Sequence, residues 1–436
     1  MTEREFATDV VRCLVDAGHT AYWAGGCVRD QLLGLDPADY DVATNARPEQ
    51  VQTLFRRTVA VGLSFGVVEV LGPRPLKVQV ATFRSDGEYS DGRRPDSVTY
   101  CDPREDALRR DFTINGMFFD PLAGQLIDYV GGQEDLQTKR LRAIGSPLDR
   151  FTEDKLRMLR AVRMATRFDL EMDEATAIAI RAMAGQISVV SAERIAEELR
   201  KLLVHPHRAR GMRLMDDLQL LGPILPEALE MKGLPQGPPA APTGDLWEHV
   251  LQVLDLLEQP VSFPLAFAAL LHDIGKRRTA GRVGDKFSFH GHEHVGKRMA
   301  AEINLRLKLS NIERARIEWL VEKHQYLCDA EVMRVSRLKK ILIHPGIGEL
   351  LALHRADSRA TGKPLGHVEF CERFLCDTPA GVLNPPPLIT GDDLTTLGIP
   401  AGPAYKNILD AVREAQLEGT IGTREEALTM ALGYSV

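Results

Sequence analysis

The chain has 436 residues, a net charge of −7, 44% hydrophobic and 26% charged residues; this length predicts two to four soluble domains, and the charge excludes a globally basic nucleic-acid binder, so any RNA site must be a local basic surface. The charged start MTEREFATDV does not read as a secretory leader, and no apolar run, the longest lying around 261–271, approaches a membrane span of roughly 18 residues. Six cysteines, Cys13, Cys27, Cys101, Cys328, Cys371 and Cys376, show no CxxC spacing and predict reduced thiols in a cytoplasmic protein without a membrane partner.

Residues 5–17 place Phe6, Val10, Leu14 and Ala17 near helical spacing, with Gly18 as a stop. A short strand, 21–24, then leads into AGGCVRDQLLGLDPADYDVATN, residues 24–45. Gly25 and Gly26 let the backbone approach a polyphosphate, and Arg29, one turn into the next helix, can meet that anion. Asp39 and Asp41, with Tyr40, Val42 and Thr44, read as a strand, whose i and i+2 side chains share a face. Two carboxylates so placed repel unless cations lie between them, and a pair of Mg²⁺ ions there suits in-line attack of a hydroxyl on a phosphoryl group.

Pro48 opens the next helix, and 59–71 and 76–84 read as two strands joined by GPRP, which gives a small mixed sheet with helices on it. Residues 85–103, rich in Asp, Gly, Arg and Pro, read as a flexible loop. In Leu108-Arg109-Arg110-Asp111-Phe112-Thr113-Ile114-Asn115 the two arginines point to different sides, one toward a triphosphate while Asp111 orients the other. Residues 151–167 predict one helix capped by Thr152, with Asp154, Arg157, Arg160 and Arg163 on a polar stripe. An aspartate accepting from an exocyclic amino group and an arginine donating to the adjacent ring nitrogen admit C and A and refuse G and U; Asp154 and Arg157 are that pair by type and spacing, with Arg160 and Arg163 backing them or holding phosphate.

From 174 to 230 the pattern is helical, with Arg194, Arg200, Lys201, Arg208, Arg210 and Arg213 as a seat for an RNA backbone, and 233–244 is a linker by composition. Beyond it, His249, His272 and Asp273 in HDIGK, and Asp357 can hold one divalent transition metal, and His292 and His324 lie where a second could be completed; His290 and His294 lie nearby. Residues 379–388 are a proline-rich joint before a helical tail.

The glycine pair with GGxVRD and DxD, RRDFTIN, and the stretch around Asp154 and Arg157 together resemble the class II tRNA CCA-adding enzymes and bacterial poly(A) polymerases, and HDIGK with its flanking histidines resembles an HD phosphohydrolase domain. The resemblance implies an α+β chain: a polymerase-β-like nucleotidyltransferase head over 1–145, a helical neck over 146–232 with the base-selecting helix and an RNA surface, an HD domain over 245–378 and a helical tail over 386–436. It implies Asp39 and Asp41 as catalytic Mg²⁺ ligands and Gly25, Gly26, Arg29, Arg109, Arg110, Asp154, Arg157, Arg160 and Arg163 as nucleotide contacts. The partners are then tRNA, CTP and ATP, and the reaction is template-independent addition of C, C and A with release of pyrophosphate. An enzyme adding only A, a poly(A) polymerase, and a hydrolase with a nucleotide-binding head are the alternatives. Gln79 departs from the family, where that segment often carries a glutamate; the chain must manage with two carboxylates or recruit Glu69.

Overall fold

The computed structural model describes residues 1–62, 66–87, 97–235, 244–283, 286–400 and 402–434, which divide into two units, Met1–Pro226 and Glu227–Val436. The centre of the predicted loop, 88–96, and most of the predicted linker, 236–243, lie outside the described residues.

In the first unit, α1 (Glu3–Asp16) begins under a reciprocal cap between Thr2 and Glu5 and buries Ala7, Val10, Val11 and Leu14. It is followed by β1 (Ala21–Ala24), α2 (Gly26–Leu32), β2 (Asp41–Thr44), α3 (Pro48–Leu54), β3 (Thr58–Gly62), β4 (Val67–Leu71), β5 (Lys77–Thr82), β6 (Arg84–Asp86), β7 (Val98–Tyr100), α4 (Pro103–Leu108), β8 (Phe118–Asp120) and β9 (Gln125–Ile127). Among the described residues seven of these strands form one sheet in the order β3-β4-β5-β2-β1-β8-β9. It is mixed: β2 runs parallel to β5 and antiparallel to β1. Alternation along β1 sends Trp23 to one face and Ala24 to the other, where Ala24, Ala43, Phe83, Ala107 and Phe118 make a buried cluster. Asp41 lies opposite Ala24 in register and two residues before Ala43, so it shares the face of that cluster and stands at its open end.

Two strand expectations change. The run 59–71 is a hairpin of β3 and β4 rather than one strand; Gly66, at φ 76°, takes the left-handed backbone that follows the reversal. Part of the predicted loop is ordered as the β6–β7 ribbon and α4, which starts under the Asp102 carboxylate because that side chain accepts from the Glu105 amide.

The unit continues through α5 (Gly132–Gln137), β10 (Arg140–Leu141), α6 (Pro147–Glu153), α7 (Leu156–Arg167), β11 (Glu171–Met172), α8 (Glu174–Met183), α9 (Ala192–Leu203), α10 (Arg208–Asp217) and α11 (Leu221–Ile224), with α12 (Pro226–Leu229) at the boundary. The single helix expected over 151–167 is two. Ser146, not Thr152, caps the first, and Thr152 sits inside it. Asp154 ends it in extended backbone, φ −145° and ψ 106°, and its carboxylate then accepts from the Leu156 amide, opening α7. α7 packs against α9 and α10 and buries Leu159 and Val162, while Leu156, Arg157, Arg160 and Arg163 line one cavity.

Among the described residues the second unit is helical apart from one short ribbon: α13 (Leu246–Leu256), α14 (Phe263–Leu271), α15 (Lys276–Thr279), β12 (Gly281–Val283), β13 (Lys286–Ser288), α16 (His292–Arg306), α17 (Asn311–Lys323), α18 (Val335–Leu342), α19 (Ile347–Ala360), α20 (Gly366–Asp377), α21 (Ala380–Leu383), α22 (Gly391–Thr396), α23 (Pro403–Glu418) and α24 (Arg424–Gly433). α14 is apolar all round and lies at the centre, against α13, α17 and α19. The tail helices α22–α24 close a separate core on Leu394, Ile408, Val412 and Ala427. No described helix is long and apolar enough to cross a membrane, and all six cysteines are free thiols.

Candidate active site

A cavity of about 600 Å³ in the first unit gathers almost every residue singled out by the head motifs: Gly25, Gly26, Arg29, Asp39, Asp41, Arg109, Arg110, Asp154, Arg157, Arg160 and Arg163. Gly25 turns the chain from β1 into α2 at φ 72°, and a Cβ there would meet Arg110 Nη1 at 3.0 Å. The first-turn amides of α2 have no partner within the helix and no side-chain cap, which leaves them to an acceptor from outside.

Asp41 begins β2, whereas Asp39 precedes the strand, so the pair shares the cavity without sharing strand geometry. Asp41 is open to solvent, yet protein atoms crowd its carboxyl; that desolvation, reinforced by Asp39 and opposed by Arg110, raises it to about 6. A carboxylate that its surroundings make costly to ionise, beside a second one, fits a divalent cation. Gln79 faces Asp41 across the parallel β2–β5 pairing, and Glu69 lies one strand further, roughly 10 Å from Asp41 at the usual strand spacing, with its carboxylate on Lys77 at 3.1 Å. Glu69 is not among the residues that line the cavity.

The arginines are held rather than free, and their holders were largely missed by the sequence reading. Asp106 on α4, one turn before the arginine pair that follows the helix, accepts from Arg109 at 2.7 Å and from Arg110 at 2.9 Å. Burial raises the Asp106 carboxyl, but the charges of Arg110 and Arg109 outweigh this and leave it below the usual carboxylate range. Asp111 was expected to orient one of those two; it instead receives Arg160 at 2.6 and 2.9 Å and the Asn115 amide at 3.0 Å. Burial opposes its ionisation, but Arg160 and these hydrogen bonds prevail and hold it well below the ordinary value. The i−3 and i−4 spacing of Asp106 to the two arginines was the available signal, since those positions share a helix face.

Arg29 is almost wholly buried, donating to Asp30 at 2.6–2.8 Å and to Asn115 at 2.5 Å, with its plane 4.3 Å from the Phe168 ring centroid. Its fork is thus used largely inside the protein, and it lines the cavity rather than reaching into it. Arg163 is also buried, on Glu198 at 2.6 Å.

Asp154 and Arg157 both line the cavity, although they lie on opposite sides of the break between α6 and α7. Arg157 is steadied by Glu153 at 2.5 Å. Asp154 is gripped by both terminal nitrogens of Arg194, at 2.7 and 3.2 Å. Arg194, expected on an RNA surface, is thereby part of the cavity wall. Arg208, from the same expected surface, is fully buried and donates to the Leu203 carbonyl, while Arg210 pairs with Asp169 and Glu171. Arg194 is thus a cavity group and Arg208 a buried structural one, whereas Arg210 keeps a third of its side chain exposed.

The second unit brings its six expected ligands into two adjoining clusters, His249 with His272 and Asp357, and Asp273 with His292 and His324. Asp273, first grouped with the former set, lies between them: Oδ2 is 3.2 Å from His272 Nε2, and Oδ1 is 3.1 and 3.4 Å from His292 and His324 Nε2. His272, His292 and His324 each hold Nδ1 2.7–2.8 Å from the carbonyl three residues before, which puts the ring proton there and turns the Nε2 lone pair to the centre. Asp273 Oδ1 is consequently buried without a donor. Imidazole nitrogens and carboxylate oxygens converging in this way, with Asp273 Oδ1 left without a donor, fit a divalent metal. His290 and His294 are exposed and stand outside both clusters.

Comparison with known proteins finds matches over both regions. Residues 21–142 match the poly A polymerase head domain, 169–231 the family described as "Probable RNA and SrmB-binding site of polymerase A", and 246–359 the HD domain; the first and last of these are families that generally need divalent metals. A CCA-adding enzyme of Oceanobacillus iheyensis is 40% identical over 215 residues, 49% of this chain and 53% of that protein. One from Lactobacillus helveticus is 38% identical over 262 residues, 59% of this chain and 65% of its own length. The chain thus matches between about half and two thirds of these relatives' length. The crystal structure of the Bacillus stearothermophilus CCA-adding enzyme in complex with CTP superposes with a TM-score of 0.75 at 27% identity, over 99% of this chain and 98% of that one.

Proposed function

We propose that this chain, which carries a poly A polymerase head, the RNA-binding segment that accompanies it and an HD domain, is a template-independent tRNA nucleotidyltransferase that adds C, C and A to a tRNA 3′ end from CTP and ATP, working in the cytoplasm where its thiols stay reduced. The observation that carries this reading is the single cavity in which Asp39 and Asp41, the Arg109–Arg110 pair and the Asp154–Arg157 pair meet. Asp39 and Asp41 would hold Mg²⁺, which, when bound, supplies positive charge to the attacking and leaving oxygens. Gly25 and Gly26 offer backbone to the triphosphate, and Arg109 and Arg110, fixed by Asp106, neutralise it as the RNA 3′-hydroxyl attacks the α-phosphate and pyrophosphate departs. Asp154 accepts from the exocyclic amino group of C or A while Arg157 donates to the neighbouring ring nitrogen; G and U present the reverse order and would leave both groups unpaired. Arg160 and Arg163 back these two from the cavity wall. The domain limits that serve this reading are a head over 1–145, a neck over 146–232, an HD domain over 245–378 and a tail over 386–436.

For the HD domain we propose hydrolysis of phosphate monoesters or cyclic phosphodiesters, including those on damaged tRNA ends. His249, His272, Asp273, His292, His324 and Asp357 would hold a divalent transition metal that lowers the pKa of a bound water.

The test is a denaturing-gel assay with Mg²⁺ and transcripts ending at the discriminator base or after CC. Addition of CCA with both nucleotides, and of CC with CTP alone, is expected. Extension only of the CC-ended transcript by A would make it an A-adding enzyme, a long A ladder on generic RNA a poly(A) polymerase, and no product in any lane would sink the head assignment.

A further inference from the structure

A carboxylate that is to choose a base must present its lone pairs in one direction, and the surroundings of Asp154 do this. An ionised carboxylate offers about four lone-pair sites, two on each oxygen. On Oδ1 one is taken by the Leu156 amide at 3.0 Å and the other by Arg194 Nη1 at 3.2 Å. On Oδ2 one is taken by Arg194 Nη2 at 2.7 Å. A single acceptor site is left, on Oδ2, and the two parallel guanidinium bonds fix the plane in which it lies.

Arg194 is placed for this by the helix that carries it. It stands in the first turn of α9, which packs on α7, and four residues further along the same face Glu198 takes Arg163 Nε at 2.6 Å. α9 therefore holds this stretch at two points, Asp154 just before α7 and Arg163 within it, and only the first is a group that reads the base. Arg157, the other reader, is held from elsewhere: by Glu153 at 2.5 Å and by the Arg150 carbonyl at 3.1 Å, both on α6. Acceptor and donor are thus set by different helices. Without Arg194 the Asp154 carboxylate would keep the Leu156 amide alone, and either oxygen could turn toward an incoming base.

We propose that Arg194 is a specificity-determining positioning residue: by saturating Oδ1 and orienting Oδ2 of Asp154, it leaves one acceptor that an exocyclic amino group of C or A fills and that a carbonyl oxygen of U or G cannot. This assignment rests on the base-selecting role proposed above for Asp154 and names the group that enforces it.

The experiment measures the affinity of the full chain for CTP, ATP, UTP and GTP with Mg²⁺ and without RNA, by titration calorimetry, in the unaltered protein and in Arg194→Ala, Arg194→Lys and Glu198→Gln. Arg194→Ala is expected to weaken CTP and ATP about tenfold, the scale of one charge-assisted hydrogen bond. UTP and GTP should stay as they are, so discrimination falls by the same factor. Arg194→Lys, which cannot grip both oxygens, should recover part of it. Glu198→Gln, the neighbour on the same face of α9, controls for a merely structural role: it should move all four affinities together and leave their ratios unchanged. Ratios unmoved by Arg194→Ala, or moved as much by Glu198→Gln, overturn the proposal, as does an unaltered protein that binds the four nucleotides alike. The gel assay above keeps the two ideas apart. Addition of CCA with ratios indifferent to Arg194 removes the positioning role and keeps the transferase, whereas selective binding that depends on Arg194, without addition to any transcript, keeps the positioning role and removes the transferase.

Discussion

Seven arginines and four aspartates line the head cleft, whereas the histidine centre gathers four imidazoles and two carboxylates with a single lysine, Lys276, on Asp273 at 2.5 Å. The cleft is open and positive, and most of its guanidinium groups are fixed from behind by carboxylates, so it suits a large ligand that brings several negative charges of its own. The centre is largely closed and crowds imidazoles and carboxylates together, so it suits a small cation gripped from several sides. Both arrangements store like-charged or unpaired groups, and what differs is the size of the species that relieves them.

The sharpest way to break the comparison is to remove one relief at a time. Asp41→Ala, or Asp39→Ala, should lower CCA addition by about 10³-fold or more while tRNA retention on a filter and metal in the HD domain stay as they were; near-normal turnover would refute the assignment. Asp273→Ala should do the reverse, stripping the second unit of divalent metal in elemental analysis of the dialysed protein and leaving addition within about twofold, because Asp273 is the ligand common to both clusters.

Asp106→Asn tests whether the arginines need their holders. It should cut kcat/KM for CTP and ATP alike by roughly 10- to 100-fold, since a misplaced phosphate clamp costs both substrates equally; a loss confined to one nucleotide would point to base selection instead. Arg194→Ala should act on selection, loosening Asp154 and raising misincorporation of G or U by about tenfold, with Arg194→Lys intermediate because it cannot grip both oxygens. Asp111→Asn should have the smallest effect, on stability: about 1–3 kcal/mol at pH 7 by urea unfolding. The Asp111 carboxyl is held low in the folded chain, so its contribution is present above the unfolded value of about 4 and is lost as pH falls through the folded one; the gap between variant and parent should therefore shrink in acid.

Much of the head was legible because its chemistry sits in short runs. The glycine pair, DxD and the two arginines of RRD all reach the cavity, though Asp39 does so from before the strand and both arginines are held by Asp106 rather than by Asp111. Asp154 and Arg157 also reach it, though by another route: the helix thought to align them is interrupted at Asp154, whose side chain competes for backbone amides and starts a new helix. The six side chains expected as HD ligands do come together, but the position of Asp273 between the two clusters was not readable.

The sequence by itself determined which groups this protein has to work with: a backbone without Cβ atoms before a helix, paired carboxylates, clustered arginines and imidazoles after an apolar helix. Local spacing suffices for these, since it decides what is adjacent along a strand or helix face. Only the tertiary structure decided what each charged group faces. Asp111 meets Arg160, Asp154 meets Arg194 and Glu198 meets Arg163 across 35 to 49 residues of chain, because the packing of α7 on α9 and of the sheet on α4 brings them within reach. Such pairings depend on how apolar faces stack, and a list of residue types does not contain that distance.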